Sequence, residues 1–93
     1  MKYDKQCAKQ ILEYIEAQNN LTVTGAGFKF QPISFTKLAE SLSDFSPAEI
    51  MHNLFCLLQA DYIDADVTTE RPFRVAAINL VTIPGHEYLE KIS

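Results

Sequence analysis

The stretch Phe45-Ser46-Pro47-Ala48-Glu49-Ile50-Met51-His52-Asn53-Leu54 decides the fold of this 93-residue chain. Ser46 stands as an N-cap, Pro47 takes the N1 position where a missing N–H costs nothing, and Glu49 at N3 completes a capping box. Phe45 at N′ and Ile50 at N4 form a hydrophobic staple. Four cues agree on one helix start, and the helix is predicted to run to about Ala60. At ~100° per residue, Ile50, Met51, Leu54, Leu57 and Leu58 make its inward stripe. Ala48, Glu49, His52, Cys56 and Gln59 face outward, with Phe55 at the border.

Outward from this helix, the remaining elements follow from pattern. Ser34 caps a short helix from Phe35 to about Leu42, and Ser43–Ser46 joins the two as a helix-turn-helix. Downstream, Asp61–Val67 alternates as a strand, Thr68–Phe73 is a polar loop carrying Pro72, and Arg74–Val81 returns antiparallel. Thr82 caps a last helix with Pro84 near its start and Tyr88, Leu89 and Ile92 as its apolar positions. Upstream, Asp4 caps a helix running to about Gln18 and ended by Asn19-Asn20. Its stripe is Cys7, Ala8, Ile11, Leu12 and Ile15. Leu21–Thr24 and Phe28–Ile33 flank Gly25-Ala26-Gly27 and are predicted to form a small hairpin, with Pro32 restricting the second run to an edge. The predicted fold is a single α+β domain over residues 1–93. It is a winged helix-turn-helix with an N-terminal helix, a two-stranded wing and a C-terminal helix.

Composition restricts the setting. With 47% apolar and 22% charged residues, the chain is neither disordered nor low in complexity. No apolar run approaches the ~20 residues that cross a bilayer. Met1–Gln6 leads into no apolar targeting segment, so a cytoplasmic location is expected. Cys7 and Cys56, each inside a predicted helix, read as small buried hydrophobes in a reducing compartment. Asn20-Leu21-Thr22 matches a glycosylation acceptor, which means nothing without secretion. A net charge of −4 does not suit nonspecific phosphate binding, and the eight Lys and Arg are scattered singly.

Two segments carry a family resemblance. Val81-Thr82-Ile83-Pro84-Gly85-His86-Glu87-Tyr88-Leu89 fits the signature Leu/Val-Thr-x-x-Gly-His-Glu/Asp-Phe/Tyr-Leu. Ser46–Leu54, followed by Leu57-Leu58-Gln59-Ala60-Asp61-Tyr62-Ile63, is the second match, and Met1-Lys2-Tyr3-Asp4 is similar as well. The chain thus resembles a domain-of-unknown-function family of small bacterial and prophage proteins, over most of its length. It departs from the pattern at Pro84, at Asp61, where the family often has glycine, and in the inserted-looking segment 22–31. The resemblance implies a winged-helix-like fold and carries no activity.

Catalytic and metal chemistry fail on spacing. His86-Glu87-Tyr88-Leu89-Glu90 opens like a zinc-protease motif, but Glu90 stands where the second histidine is needed. His86 is expected to fold back onto the domain and bond a strand carbonyl or cap a terminus. His52 and Cys56 share a helical face, yet a structural zinc wants four ligands. Cys56 has no basic flank to lower its pKa. Asp61, Asp64 and Asp66 lack the glycine and glutamate of a calcium loop. Gly25-Ala26-Gly27 precedes no helix with a phosphate-binding lysine. No catalytic residue, metal or cofactor is expected, and the chain reads as a non-enzyme.

Recognition remains, in two forms. As a DNA-associated regulator of a bacterium or prophage, the chain would contact double-stranded DNA weakly, through Lys37, His52, Gln59, Arg71 and Arg74. The second predicted helix of the pair, however, offers no permanent cation. Alternatively the winged helix serves protein contact, as a homodimer or adaptor without DNA binding. The homodimer would use Tyr14 and Ala17 of the first helix and Tyr88 and Ile92 of the last, which widen the apolar stripes. A positive stripe from Lys37 to the wing favours DNA; an apolar patch around Phe55 favours a protein partner.

Overall fold

Each helix begins where its own sequence supplies a cap. In the computed structural model, which describes residues 2–18 and 21–93, Asp4 Oδ1 accepts from the amides of Gln6 (2.9 Å) and Cys7 (3.2 Å) to open α1, Lys5–Ala17. Ser34 Oγ accepts from Lys37 N to open α2, Phe35–Ser41. At α3, Pro47–Gln59, the capping box is complete: Glu49 N donates to Ser46 Oγ (3.2 Å), and Ser46 N donates to Glu49 Oε1 (3.1 Å). Thr82 Oγ1 accepts from Gly85 N to open α4, Ile83–Ile92. The predicted end of α1 at Asn19-Asn20 lies outside the described residues.

Two small antiparallel sheets complete an α+β fold. β1, Leu21–Thr24, and β2, Gly27–Phe30, form a two-stranded hairpin in the register Val23↔Phe28. The second sheet has the order β3-β5-β4, from β3, Ile33–Ser34, β4, Ile63–Val67, and β5, Val75–Val81. Phe28–Ile33 is thus not one strand, as its alternation predicts. Pro32 has no N–H to donate, and the chain leaves the hairpin there to pair Ile33 with Ile78 of β5. The hairpin stands off the body, with Val23 and Phe28 exposed. A Cα radius of gyration of 13.1 Å, against about 12 Å for a compact chain of this length, accords with that projection.

The core draws on every helix and on the three-stranded sheet. Ile11, Leu12, Ile50, Leu54, Ile78 and Leu38 are fully enclosed, with Ile33, Ile63 and Leu89 beside them. The predicted α3 stripe holds for Ile50, Leu54 and Leu57, while Met51 and Leu58 are half-buried at its margin. Asn53 is the residue the pattern misses. It is buried, donates from Nδ2 to the Glu49 carbonyl (2.9 Å), and accepts at Oδ1 from Asp4 N (2.9 Å). One side chain thereby ties the cap of α1 to α3.

The strand predicted from Asp61 starts at Ile63 instead, because Asp61 and Tyr62 close α3. Tyr62 N donates to the Leu57 carbonyl and Asp61 N to that of Leu58, the two bonds of a Schellman motif. Asp61 has φ +62°, a left-handed conformation that glycine adopts without a Cβ penalty. Asp61→Gly is expected to raise stability by about 0.5–1 kcal/mol, and Asp61→Ala to lower it. Denaturant midpoints check both.

Candidate functional site

The outward face of α3 and the β4–β5 hairpin border an apolar groove of about 270 Å3. Met51, His52, Phe55 and Leu58 line it from α3, and Val67, Phe73, Arg74 and Val75 from the hairpin. Helical spacing puts Met51, Phe55 and Leu58 one turn apart on this side. On the hairpin, Thr68 N donates to the Arg74 carbonyl (2.9 Å) and Arg74 N to Thr68 Oγ1 (3.1 Å), closing the loop neck. Val75 N lies 3.3 Å from Met51 Sδ as its donor, which joins hairpin to helix. Phe55 is 51% exposed, Phe73 62% and Val67 42%. Three large apolar side chains thus stand open around one groove.

The groove's charge is positive. The Arg71 guanidinium lies over the Phe73 ring, 6.0 Å from its centroid, a cation–π geometry. Among the described residues no ion pair holds Arg71 or Arg74; the one present joins His86 to Glu16. The loop's own carboxylate, Glu70, shares a shallow hollow with both arginines.

The nucleic-acid candidates do not all converge. His52 and Arg74 line the groove and Arg71 sits at its rim through Phe73. Gln59 is exposed at the end of α3. Lys37 lines a different hollow, with Gln18, Thr22 and Lys29. For the dimer candidates, Tyr14, Tyr88 and Ile92 pack against the protein's own core, leaving Ala17 exposed. Tyr88 stacks on Tyr62 at 4.5 Å between ring centroids, and its hydroxyl bonds that of Tyr3. Burial, then the bond to Tyr88, holds the Tyr3 phenol above its usual ionisation range. Phe73 and Val67 escaped the sequence reading, since a phenylalanine inside a polar loop and a valine at a strand end carry no periodic signal.

His86 folds back as expected but onto a different partner. Its Nδ1 meets the Glu16 carboxylate of α1, not a strand carbonyl, because α4 runs alongside α1. Both side chains are well exposed, so the pair adds little stability. Asp64 accepts from Asn79 Nδ2 (3.0 Å). No group of three metal-ligating side chains occurs among the described residues. His52 Nε2 lies 3.8 Å from Cys56 Sγ.

Both cysteines are free thiols. Burial, then the nearby Asp4 and Glu49 carboxylates, pushes the Cys7 thiol up to about 11, and Cys7 is fully enclosed whereas Cys56 is half-buried. A disulfide-forming thiol reagent at neutral pH is therefore expected to titrate Cys56 in the native protein and Cys7 only on unfolding. Fast reaction of both would contradict the packing of α1.

No family model, curated protein or solved structure matches the chain. Among the described residues, no helix is long and apolar enough to cross a membrane.

Proposed function

We propose that the chain is a non-enzymatic winged helix-turn-helix domain that recognises another protein through the groove between α3 and the β4–β5 hairpin. The fold reading is supported by element order. With the β1–β2 hairpin set between α1 and β3, the order is a helix, a short strand, two helices and a hairpin, and the short strand β3 pairs with the far strand of that last hairpin. α2 and α3 then form the helix-turn-helix, and β4–β5 forms the wing. The likeness of Val81–Leu89 to the small bacterial and prophage family points the same way, and two free thiols suit a reducing, cytoplasmic setting.

One observation carries the functional reading. Phe55 stands half-exposed on the helix that would read DNA, facing Phe73 across an apolar groove, and that helix bears neither Lys nor Arg. A DNA-reading helix offers cations and amides to phosphates and base edges. This one offers an aromatic anchor, the residue type that dominates protein interfaces.

DNA contact is the second reading, favoured by the unpaired Arg71 and Arg74 in the wing loop. The two readings separate in a titration of random duplex DNA against rising salt. Protein recognition predicts no saturable binding even at low salt. Saturable binding whose salt slope falls by about two contacts in the Arg71→Ala/Arg74→Ala variant would establish the DNA reading in its place.

A further inference from the structure

The wing groove joins an apolar floor to a cationic rim. Met51, Phe55, Val67 and Phe73 make the floor, Arg74 lines one wall, and Arg71 is held at the edge by the Phe73 ring. No carboxylate lines the groove; Glu70 stands in the adjoining loop hollow, and Asp64 and Asp66 of β4 are not among the lining side chains. The chain as a whole carries four negative charges in excess, whereas the groove lining holds Arg74 and no carboxylate. Two guanidiniums unpaired by any carboxylate of the described residues flank the apolar floor.

We infer that the occupant of the groove is a segment of another protein that presents bulky apolar side chains flanked by Asp or Glu. The inference rests on the protein-recognition reading above and adds the partner's chemistry to it. Apolar side chains remove Phe55, Val67 and Phe73 from water. Carboxylates beside them meet Arg71 and Arg74, whose planar forks donate paired N–H bonds to such a group. The match sets orientation and excludes basic segments, which is what complementary rim charges contribute at interfaces. A duplex, whose bases are stacked inside, would meet the arginines with its phosphates but leave the aromatic floor uncovered, and the net charge of the chain opposes any polyanion. A second copy of this chain is a poorer occupant: the outer face of α4 joins Glu87 and Glu90 to a single large exposed apolar side chain, Ile83, and that of α1 presents Glu13 and Glu16 with none.

The test uses two labelled amphipathic peptides sharing one face of Phe and Leu. The opposite face carries Asp and Glu in one and Lys in the other, with random duplex DNA and oligo-dT as further probes. The acidic peptide should bind and the basic one should not. Arg71→Glu/Arg74→Glu should weaken the acidic peptide about tenfold and admit the basic one. Phe55→Ser/Phe73→Ser should abolish binding of either. All four positions are exposed, so the variants should retain the parent melting curve.

Equal binding of both peptides, lost in the Phe55→Ser/Phe73→Ser variant, would overturn the acidic inference and leave protein recognition standing. Binding of neither peptide, with capture of duplex or oligo-dT through the arginines, would overturn both. Binding of no probe at all would overturn the acidic inference.

Discussion

Gly85→Ala is expected to be the most damaging single-methyl change in the chain, costing about 3 kcal/mol or more. Gly85 is buried in the first turn of α4, where that helix crosses the end of the β4 entry. A Cβ there would lie 2.0 Å from the Tyr62 carbonyl oxygen, 2.7 Å from Val81 Cγ1 and 2.9 Å from the Tyr62 carbonyl carbon. Two of those three atoms are backbone, so no rotamer change relieves the clash. The same carbonyl accepts from Thr82 N at 3.0 Å, so moving it breaks the bond that seats α4. At about 4–8 °C per kcal/mol for a domain this size, the melting temperature should fall by more than ten degrees or the protein should fail to accumulate. A melting curve superimposable on the parent's would show that α4 does not cross Tyr62 as described. Gly25→Ala is the control: nothing lies within 4 Å of its Cβ position and its φ is unexceptional, so little change is expected.

Ile50→Ala is expected to cost about 2–4 kcal/mol. Ile50 is fully buried one turn into α3, among core side chains of α1 and the sheet. Removing three carbons there leaves a cavity walled by residues fixed in other elements, which cannot collapse far to fill it. Ser46→Ala removes only the cap two residues upstream of Ala48 and should cost ~1 kcal/mol. The ratio is informative. Similar losses from both variants, measured by denaturant unfolding with an unchanged slope, would mean that Ile50 does not face the core.

The start of α3 was legible because four local preferences fall within the six residues Phe45–Ile50 and agree with one another. The ends of the strands were less so. Alternation continues across Pro32, but the ladder cannot, and only the pairing of Ile33 with Ile78 shows where the chain goes. Asp61 alternates with Ile63 on paper, yet it serves the helix before it. Asn53 carries a signal of its own in the sequence. A polar residue three positions after Ile50 falls inside the apolar stripe, where burial demands partners, and Asp4 and Glu49 supply them.

The groove was legible only in part. Phe55 at the border of the outward face was a local inference, but Phe73 and Val67 reach it through the β4–β5 hairpin, and no spacing in the sequence records that. The terminal aromatics show the converse. Tyr88 widens a helical stripe and looks free for a partner, but Tyr62 and Tyr3 occupy it. Exposure is a property of packing, and packing joins residues far apart in the chain.

The most direct measurement of the central claim is a selection of displayed random peptides against the native protein, followed by counter-selection against its Phe55→Ser/Phe73→Ser variant. Protein recognition through the groove between α3 and the β4–β5 hairpin predicts enriched peptides that bind the native chain and lose binding to the variant. Peptides that bind both proteins equally, or no enrichment over an unrelated acidic domain, would contradict it.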